Sequence, residues 1–211
     1  VLKTKYPQGS EKQLITAVLK RETPLGGLPL DVGVAVSNVG TAVAIARAVL
    51  RGKPLTHRVV SVTGAGIRQP KNLLAPVGIS YRELIDFCGG LNANAARIVS
   101  GGPMMGFAFA NLDAPITKGT SGVTVLTAAD VRKAEETACI RCGRCVDACP
   151  MGLVPTKIAL ASRAKDVDLT QRYHIMGCFE CGCCTFTCPA SIPLVQLIRT
   201  GKAQVIASQR K

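Results

Sequence analysis

Apolar positions in this chain follow a helical rhythm at both ends and an alternating rhythm in the middle. Between residues 10 and 20 they recur as Leu14, Ile15, Val18 and Leu19, one stripe of a helix. Ser10 with Gln13 offers a capping box at its start. Residues 21–33, with Pro24, Gly26, Gly27, Pro29 and Gly33, read as loop. A short extended run at 34–39 then leads to a second helix. Thr41 caps it, Val43, Ala44, Ala48 and Val49 share a face, and Gly52 stops it before Pro54. Residues 32–50 form the longest stretch with few charges. Ser37, Asn38, Gly40, Thr41 and Arg47 interrupt it, so it predicts a turn and a buried helix and not a membrane span.

From residue 56 the rhythm changes. Residues 57–63 are β-branched and alternating, and predict a strand. Residues 73–77 predict a second, with Pro76 marking a sheet edge. Ser80 caps a helix over 81–88, which Gly89 and Gly90 end, and 96–99 predict a third strand. This strand–strand–helix–strand order is that of a β-grasp module. The glycine-rich run at 101–106 is either a turn joining modules or a backbone cradle for a phosphate or flavin. Another strand is predicted at 123–126, and a helix capped by Thr127 and Asp130 that runs to about Thr137. Helices are predicted again at 157–164, 168–176 and 194–208. The fold class expected is α+β: a small β-grasp domain, 56–126 with its glycine-rich segment, and a mostly α-helical two-cluster ferredoxin domain, 127–211.

The last domain owes its name to its cysteines. Cys139, Cys142, Cys145 and Cys149 precede Pro150, and Cys178, Cys181, Cys184 and Cys188 precede Pro189. Both runs are C-x₂-C-x₂-C-x₃-C-P, the pattern that holds [4Fe–4S] clusters in two-cluster ferredoxins. Three closely spaced thiolates wrap one cube, and the fourth reaches the other. The expected ligand sets are therefore crossed: Cys139, Cys142, Cys145 and Cys188 for cluster I, and Cys178, Cys181, Cys184 and Cys149 for cluster II. Gly143 and Gly182 would let backbone approach the inorganic sulfides. Two blander readings compete. Structural zinc uses paired cysteines but gains nothing from a third step and a C-x₃-C-P, twice over. A disulfide framework would disperse its cysteines, whereas eight of the ten here lie in two tandem runs. Cys183 has no slot in either motif and reads as a non-ligand, Cys88 as a small buried hydrophobe, and His57 and His174 as structural.

Composition changes this picture little. Clustered free thiolates imply a reducing compartment, hence the cytoplasmic side. The 26 Lys and Arg against 13 Asp and Glu give a formal charge of +13. Two oxidised clusters at about −2 each lower it to about +9. A basic surface suits an acidic partner protein such as a soluble ferredoxin, or an anionic membrane face. Nucleic acid is not expected, because the basic residues are scattered and lack aromatic interleaving. Arg141, Arg144 and Glu180, beside the cysteines, are candidates for setting local charge.

Several stretches together resemble a known family: residues 6–15, Gly26-Gly-Leu-Pro, residues 31–41, Gly101-Gly-Pro-Met-Met-Gly106, residues 117–122, and the paired cysteine motifs. They are similar to the C subunit of the Rnf electron-transport complex, over essentially the whole chain. That family in turn is similar to the flavin-bearing NADH dehydrogenase subunit of respiratory complex I. The resemblance implies a peripheral protein on the cytoplasmic face of the bacterial inner membrane, with other subunits as partners. There an ion-translocating NADH:ferredoxin oxidoreductase passes electrons from NADH through FMN to the clusters. It implies that residues 1–55 are the remnant of a flavin-binding domain whose glycine-rich flavin and nicotinamide loops precede Val1. What remains of the FMN site by similarity is Gly9, Ser10, Glu11, Ser37 and Asn38. From the residues alone, Ser10 is an N-cap and Asn38 a turn residue. Two other functions stay open, a cobalamin reductase of similar layout and a metal-stabilised module without redox work.

Overall fold

The computed structural model describes residues 2–131 and 135–210. The chain divides into two compact units, one of Val1–Val36 with Ala134–Lys211 and the other Ser37–Lys133. The expected break near residue 55 is not where the units part. Residues 37–55 go with the sheet, and the first segment goes with the cysteine motifs.

The Ser37–Lys133 unit opens with a helix at Val39–Arg51 (α2; α1 lies in the other unit). Its cap is Asn38 and not Thr41: the Asn38 side chain accepts from the Gly40 N–H at 2.9 Å. No residue of α2 is buried, and Val39, Val49 and Leu50 stand in solvent, so the buried helix expected here is not found. Five strands follow: β1 His57–Thr63, β2 Lys71–Pro76, β3 Ala95–Ser100, β4 Phe107–Phe109 and β5 Gly122–Thr127. They form one sheet in the order β2-β1-β5-β3-β4. Pro76 ends the edge strand, where a missing N–H costs no ladder bond. The central pair, β1 and β5, is parallel with Val62 opposite Val123, and the other pairs are antiparallel. β4 is additional to the strands that the sequence pattern predicts. The glycine-rich run 101–106 is the turn that joins β3 to β4 within this sheet. Inward residues Val60, Val62, Val123 and Val125 pack under α3 (Tyr81–Phe87), against Leu84, Ile85 and Cys88. Cys88 is fully buried, as a small hydrophobe. Ser80 and Glu83 cap α3 reciprocally.

In the other unit α1 spans Glu11–Leu19, with Ile15 buried. The Ser10 side chain makes no cap bond, and Gln13 is drawn elsewhere, so the expected capping box does not form. A 3₁₀ turn at Pro29–Val32 lies in the expected loop, and no strand forms at 34–38. At the end of the Ser37–Lys133 unit the Thr127–Asp130 cap contacts form at 2.8 and 2.9 Å, but Ala128–Asp130 is a turn, and 135–137 are not helical. The rest of the helix expected there lies outside the described residues. Beyond it come α4 Arg144–Asp147, α5 Pro155–Arg163, α6 Val167–Arg172, α7 Cys183–Thr187 and α8 Leu194–Gln209. The motif offset is 39 residues, from Cys139 to Cys178, and α5 and α8 also start 39 residues apart, at 155 and 194. The cysteine-bearing part of the unit therefore repeats one pattern of loop, short helix and longer helix. Ile158, Ile175, Leu194, Ile198 and Val205 fill the core between α5 and α8. No described helix is long and apolar enough to cross a membrane.

Candidate metal centres

Each cysteine run folds as the same loop. The residue before its second cysteine takes a left-handed backbone, Arg141 at φ 56° and Glu180 at φ 64°. Its N–H then turns back on the first cysteine: Arg141 N donates to Cys139 Sγ at 3.4 Å and Glu180 N to Cys178 Sγ at 3.3 Å. Gly143 and Gly182 follow at φ 77° and 82°, a conformation that costs glycine nothing. A Cβ at Gly143 would meet no protein atom within 4 Å, so the backbone twist, and not contact with protein, calls for glycine there.

The loops and the short helices that follow gather the cysteines around two cavities, and the grouping crosses the motifs. The first, about 210 Å³, is lined by Cys139, Cys142, Cys145 and Cys188, with Ile140, Val146 and Thr156. The second, smaller, is lined by Cys149, Cys178, Cys181 and Cys184, with Leu153, Ile158, Val195 and Ile198. We call them site I and site II. No disulfide joins the described cysteines. Among the described residues no three Cys, His, Asp or Glu side chains converge closely enough for a single ion. A four-iron cube, with a thiolate at each of four corners, asks for wider-set sulfurs. Four soft thiolates around an apolar cavity, with backbone N–H groups turned toward sulfur, fit such a cube.

The surroundings differ. At site I Cys139 and Cys142 are exposed, Ile140 is 68% exposed, and Arg141 and Arg144 are in solvent. Each site has one buried pair, Cys145 and Cys188 at site I and Cys181 and Cys184 at site II; the other pair differs, since Cys149 and Cys178 at site II are half-buried where Cys139 and Cys142 are exposed. Burial pushes the Cys184 thiol up to about 12 and raises Cys178 also. Such thiols stay protonated until metal replaces the proton. Glu180 reaches α8, pairing with Arg199 Nε and Lys202 Nζ, each at 2.9 Å. Burial alone would raise the Glu180 pKa, but the hydrogen bonds and charges of Lys202 and Arg199 outweigh it and hold it low. Lys202 also donates to the Cys178 carbonyl. The first segment closes over the same site. The Tyr6 hydroxyl donates to the Cys181 carbonyl, and Gln13 Nε2 donates to the Pro150 carbonyl at 3.1 Å. Leu25 packs against Gly177, where a Cβ would come within 2.5 Å of its Cδ1.

Sequence reasoning missed Tyr6, Gln13, Leu25, Arg199 and Lys202. Nothing local marks them, since Tyr6 and Gln13 act across 175 and 137 residues. Cys183 lies in α7 and lines neither cavity, nor do His57 and His174. Arg141 and Arg144 flank site I, and Glu180 lines site II. Of the residues suggested for flavin, Gly9, Ser10 and Glu11 stand at the start of α1 in one unit, and Ser37 and Asn38 at the start of α2 in the other. Both groups sit where free N–H groups favour an anion, and Asn38 already spends its side chain on Gly40.

Three family models match in chain order: the Nuo51 FMN-binding domain over residues 1–47, the SLBB domain over 59–108, and the 4Fe-4S dicluster domain over 138–192. The chain is 52% identical over 96% of its length to the C subunit of the proton-translocating ferredoxin:NAD(+) oxidoreductase complex of Clostridium ljungdahlii, covering 45% of that protein. It is 46% identical over its whole length to the Na(+)-translocating counterpart of Acetobacterium woodii, covering 47% of it. To the C subunit of the ion-translocating oxidoreductase complex of Rhodobacter capsulatus it is 44% identical, covering 41%. The chain thus spans just under half the length of these relatives. With the three domain types in order and 44–52% identity along nearly all of its length, the chain is similar to the C subunits of ion-translocating ferredoxin:NAD(+) oxidoreductase and ion-translocating oxidoreductase complexes.

Proposed function

We propose that this chain carries single electrons between a flavin and the rest of a membrane-bound, ion-translocating NADH:ferredoxin oxidoreductase, through two [4Fe–4S] clusters. Cys139, Cys142, Cys145 and Cys188 hold cluster I; Cys178, Cys181, Cys184 and Cys149 hold cluster II. The observation that carries this is the crossed grouping of eight cysteines around two separate cavities. The relatives' names supply the reaction, and the match to an FMN-binding domain supplies the flavin. Gly9, Ser10 and Glu11, at the start of α1, contribute N–H groups suited to the flavin phosphate. The segment before residue 56 serves the flavin, the sheet region is the β-grasp domain, and the residues after 126 are the electron-carrying domain. The partners are the other subunits of the complex at the cytoplasmic face of the membrane, and an acidic soluble carrier such as ferredoxin.

The test is anaerobic reconstitution followed by iron and sulfide assay and electron paramagnetic resonance of the dithionite-reduced chain. About eight irons and two interacting S = 1/2 signals are expected. Cys188→Ala should remove cluster I although the residue belongs to the second motif. Stoichiometric zinc without visible absorption would end this reading.

A further inference from the structure

Resting on the two-cluster reading above, we infer that the sites hold fixed, unequal places in the electron path. Site II is the inner relay on the flavin side. Site I is the outlet, where an acidic one-electron carrier protein meets a rim formed by Ile140, Arg141, Arg144 and Val146.

Two independent observations set this order. Three points of the first segment touch three pieces of site II: Tyr6 on the Cys181 carbonyl, Gln13 on Pro150 after Cys149, and Leu25 on Gly177 before Cys178. That segment lies within the stretch matched by the FMN-binding domain. Electron tunnelling weakens steeply with distance, so the cluster beneath the flavin-side segment is the one a flavin reaches first. The other observation is exposure. Site II is walled by Leu153, Ile158, Val195 and Ile198 and closed by the Glu180–Arg199–Lys202 clamp. Site I presents Cys139 and Cys142 to solvent. Around them Ile140 and Val146 are exposed by 68% and 36%, an apolar centre flanked by Arg141 and Arg144. Neither arginine enters an ion pair among the described residues. An apolar centre with a cationic rim matches a partner whose redox centre is ringed by carboxylates, and the charge steers encounter.

The transfer balances simply. Reduced site II loses one electron and oxidised site I gains it; no bond forms or breaks and no proton moves. The flavin supplies the electron and the acidic carrier removes it.

Two measurements on the anaerobically reconstituted chain test the order. In the first, clusters are stripped slowly with ferricyanide and a chelator, and freed thiols are alkylated and mapped. Cys139, Cys142, Cys145 and Cys188 should be labelled first, about tenfold sooner than the site II cysteines. In the second, the dithionite-reduced chain is mixed with an oxidised acidic ferredoxin at low salt. Arg141→Glu with Arg144→Glu should slow electron transfer about tenfold, with the difference vanishing at high salt. The change at 141 suits the loop, because the second repeat itself carries Glu180 at the equivalent left-handed position. Site II thiols freed first, or both sets together, overturns the order, and so does a rate the charge reversal leaves unmoved. A chain that binds no iron and sulfide overturns the cluster reading itself and takes the order with it.

Discussion

The two cysteine runs are the same loop in different company. Their left-handed residues, N–H to sulfur contacts and following helices coincide position for position. Yet one site lies open, while the other is covered by α8 and by a segment more than a hundred residues away. Local spacing builds the loop; distant chain decides how much water, charge and hydrogen bonding reaches the sulfur. Burial and hydrogen bonds to sulfur are among the levers that tune an iron–sulfur potential. Two nearly identical cysteine runs are in this way given different surroundings without a change in the cysteines themselves.

The largest test of the comparison is to remove one cysteine that crosses. Cys149→Ala lies in the first motif but should empty site II, leaving about four irons per chain, whereas Cys145→Ala should empty site I. Iron assay and spin resonance tell them apart. If Cys149→Ala emptied site I, the two surroundings would be attached to the wrong cubes. Next comes the packing behind site II. A Cβ at Gly201 would run into Ser162 Oγ and lie 2.9 Å from Ile175 Cδ1, so α8 approaches α5 only because residue 201 has no side chain. Gly201→Val should cost about 1–3 kcal/mol by overpacking, read as a lower urea midpoint. It should also hasten iron loss from site II, which α8 lines with Val195 and Ile198, more than from site I.

A smaller effect is expected at the clamp. Glu180→Gln leaves Arg199 and Lys202 facing a neutral amide, at a cost of about 1–2 kcal/mol. Because the folded Glu180 pKa is held below its ordinary value, its contribution is present above the carboxylate range. It is lost as pH falls through the folded pKa. The gap in site II half-life between wild type and variant should therefore be full near neutrality and narrow in acid. A gap that widened in acid would mean the carboxylate is not the stabilising form.

How much of the molecule is legible in its sequence follows the range of the forces. The strands around Val60, Val62, Val123 and Val125, and the Ser80 cap, are readable because alternation and capping are local. Both cysteine loops are readable for the same reason. β4 is not, since three residues, Phe107–Phe109, give too short a pattern to tell from a turn. The α2 face Val43, Ala44, Ala48 and Val49 has the periodicity of a buried helix, but periodicity states that a face is apolar and not what covers it. The Ser10–Gln13 box fails because Gln13 finds the Pro150 carbonyl, a partner no window of sequence contains.

Tyr6 gives the finest test. Its hydroxyl donates to the Cys181 carbonyl, and burial, then the nearby Cys181 and Cys183, push its pKa up to about 12. The phenol therefore keeps its proton to donate; its contribution is present below the ordinary tyrosine range near 10 and fades only as pH rises through the folded value. Tyr6→Phe keeps the ring and removes that one bond, worth about 0.5–1.5 kcal/mol. Site II should then lose iron to a chelator a few fold faster, equally at pH 7 and pH 9, while site I is unchanged. Were both sites to loosen together, the first segment would be holding the whole unit, and the difference between the two loops would have to come from α8 alone.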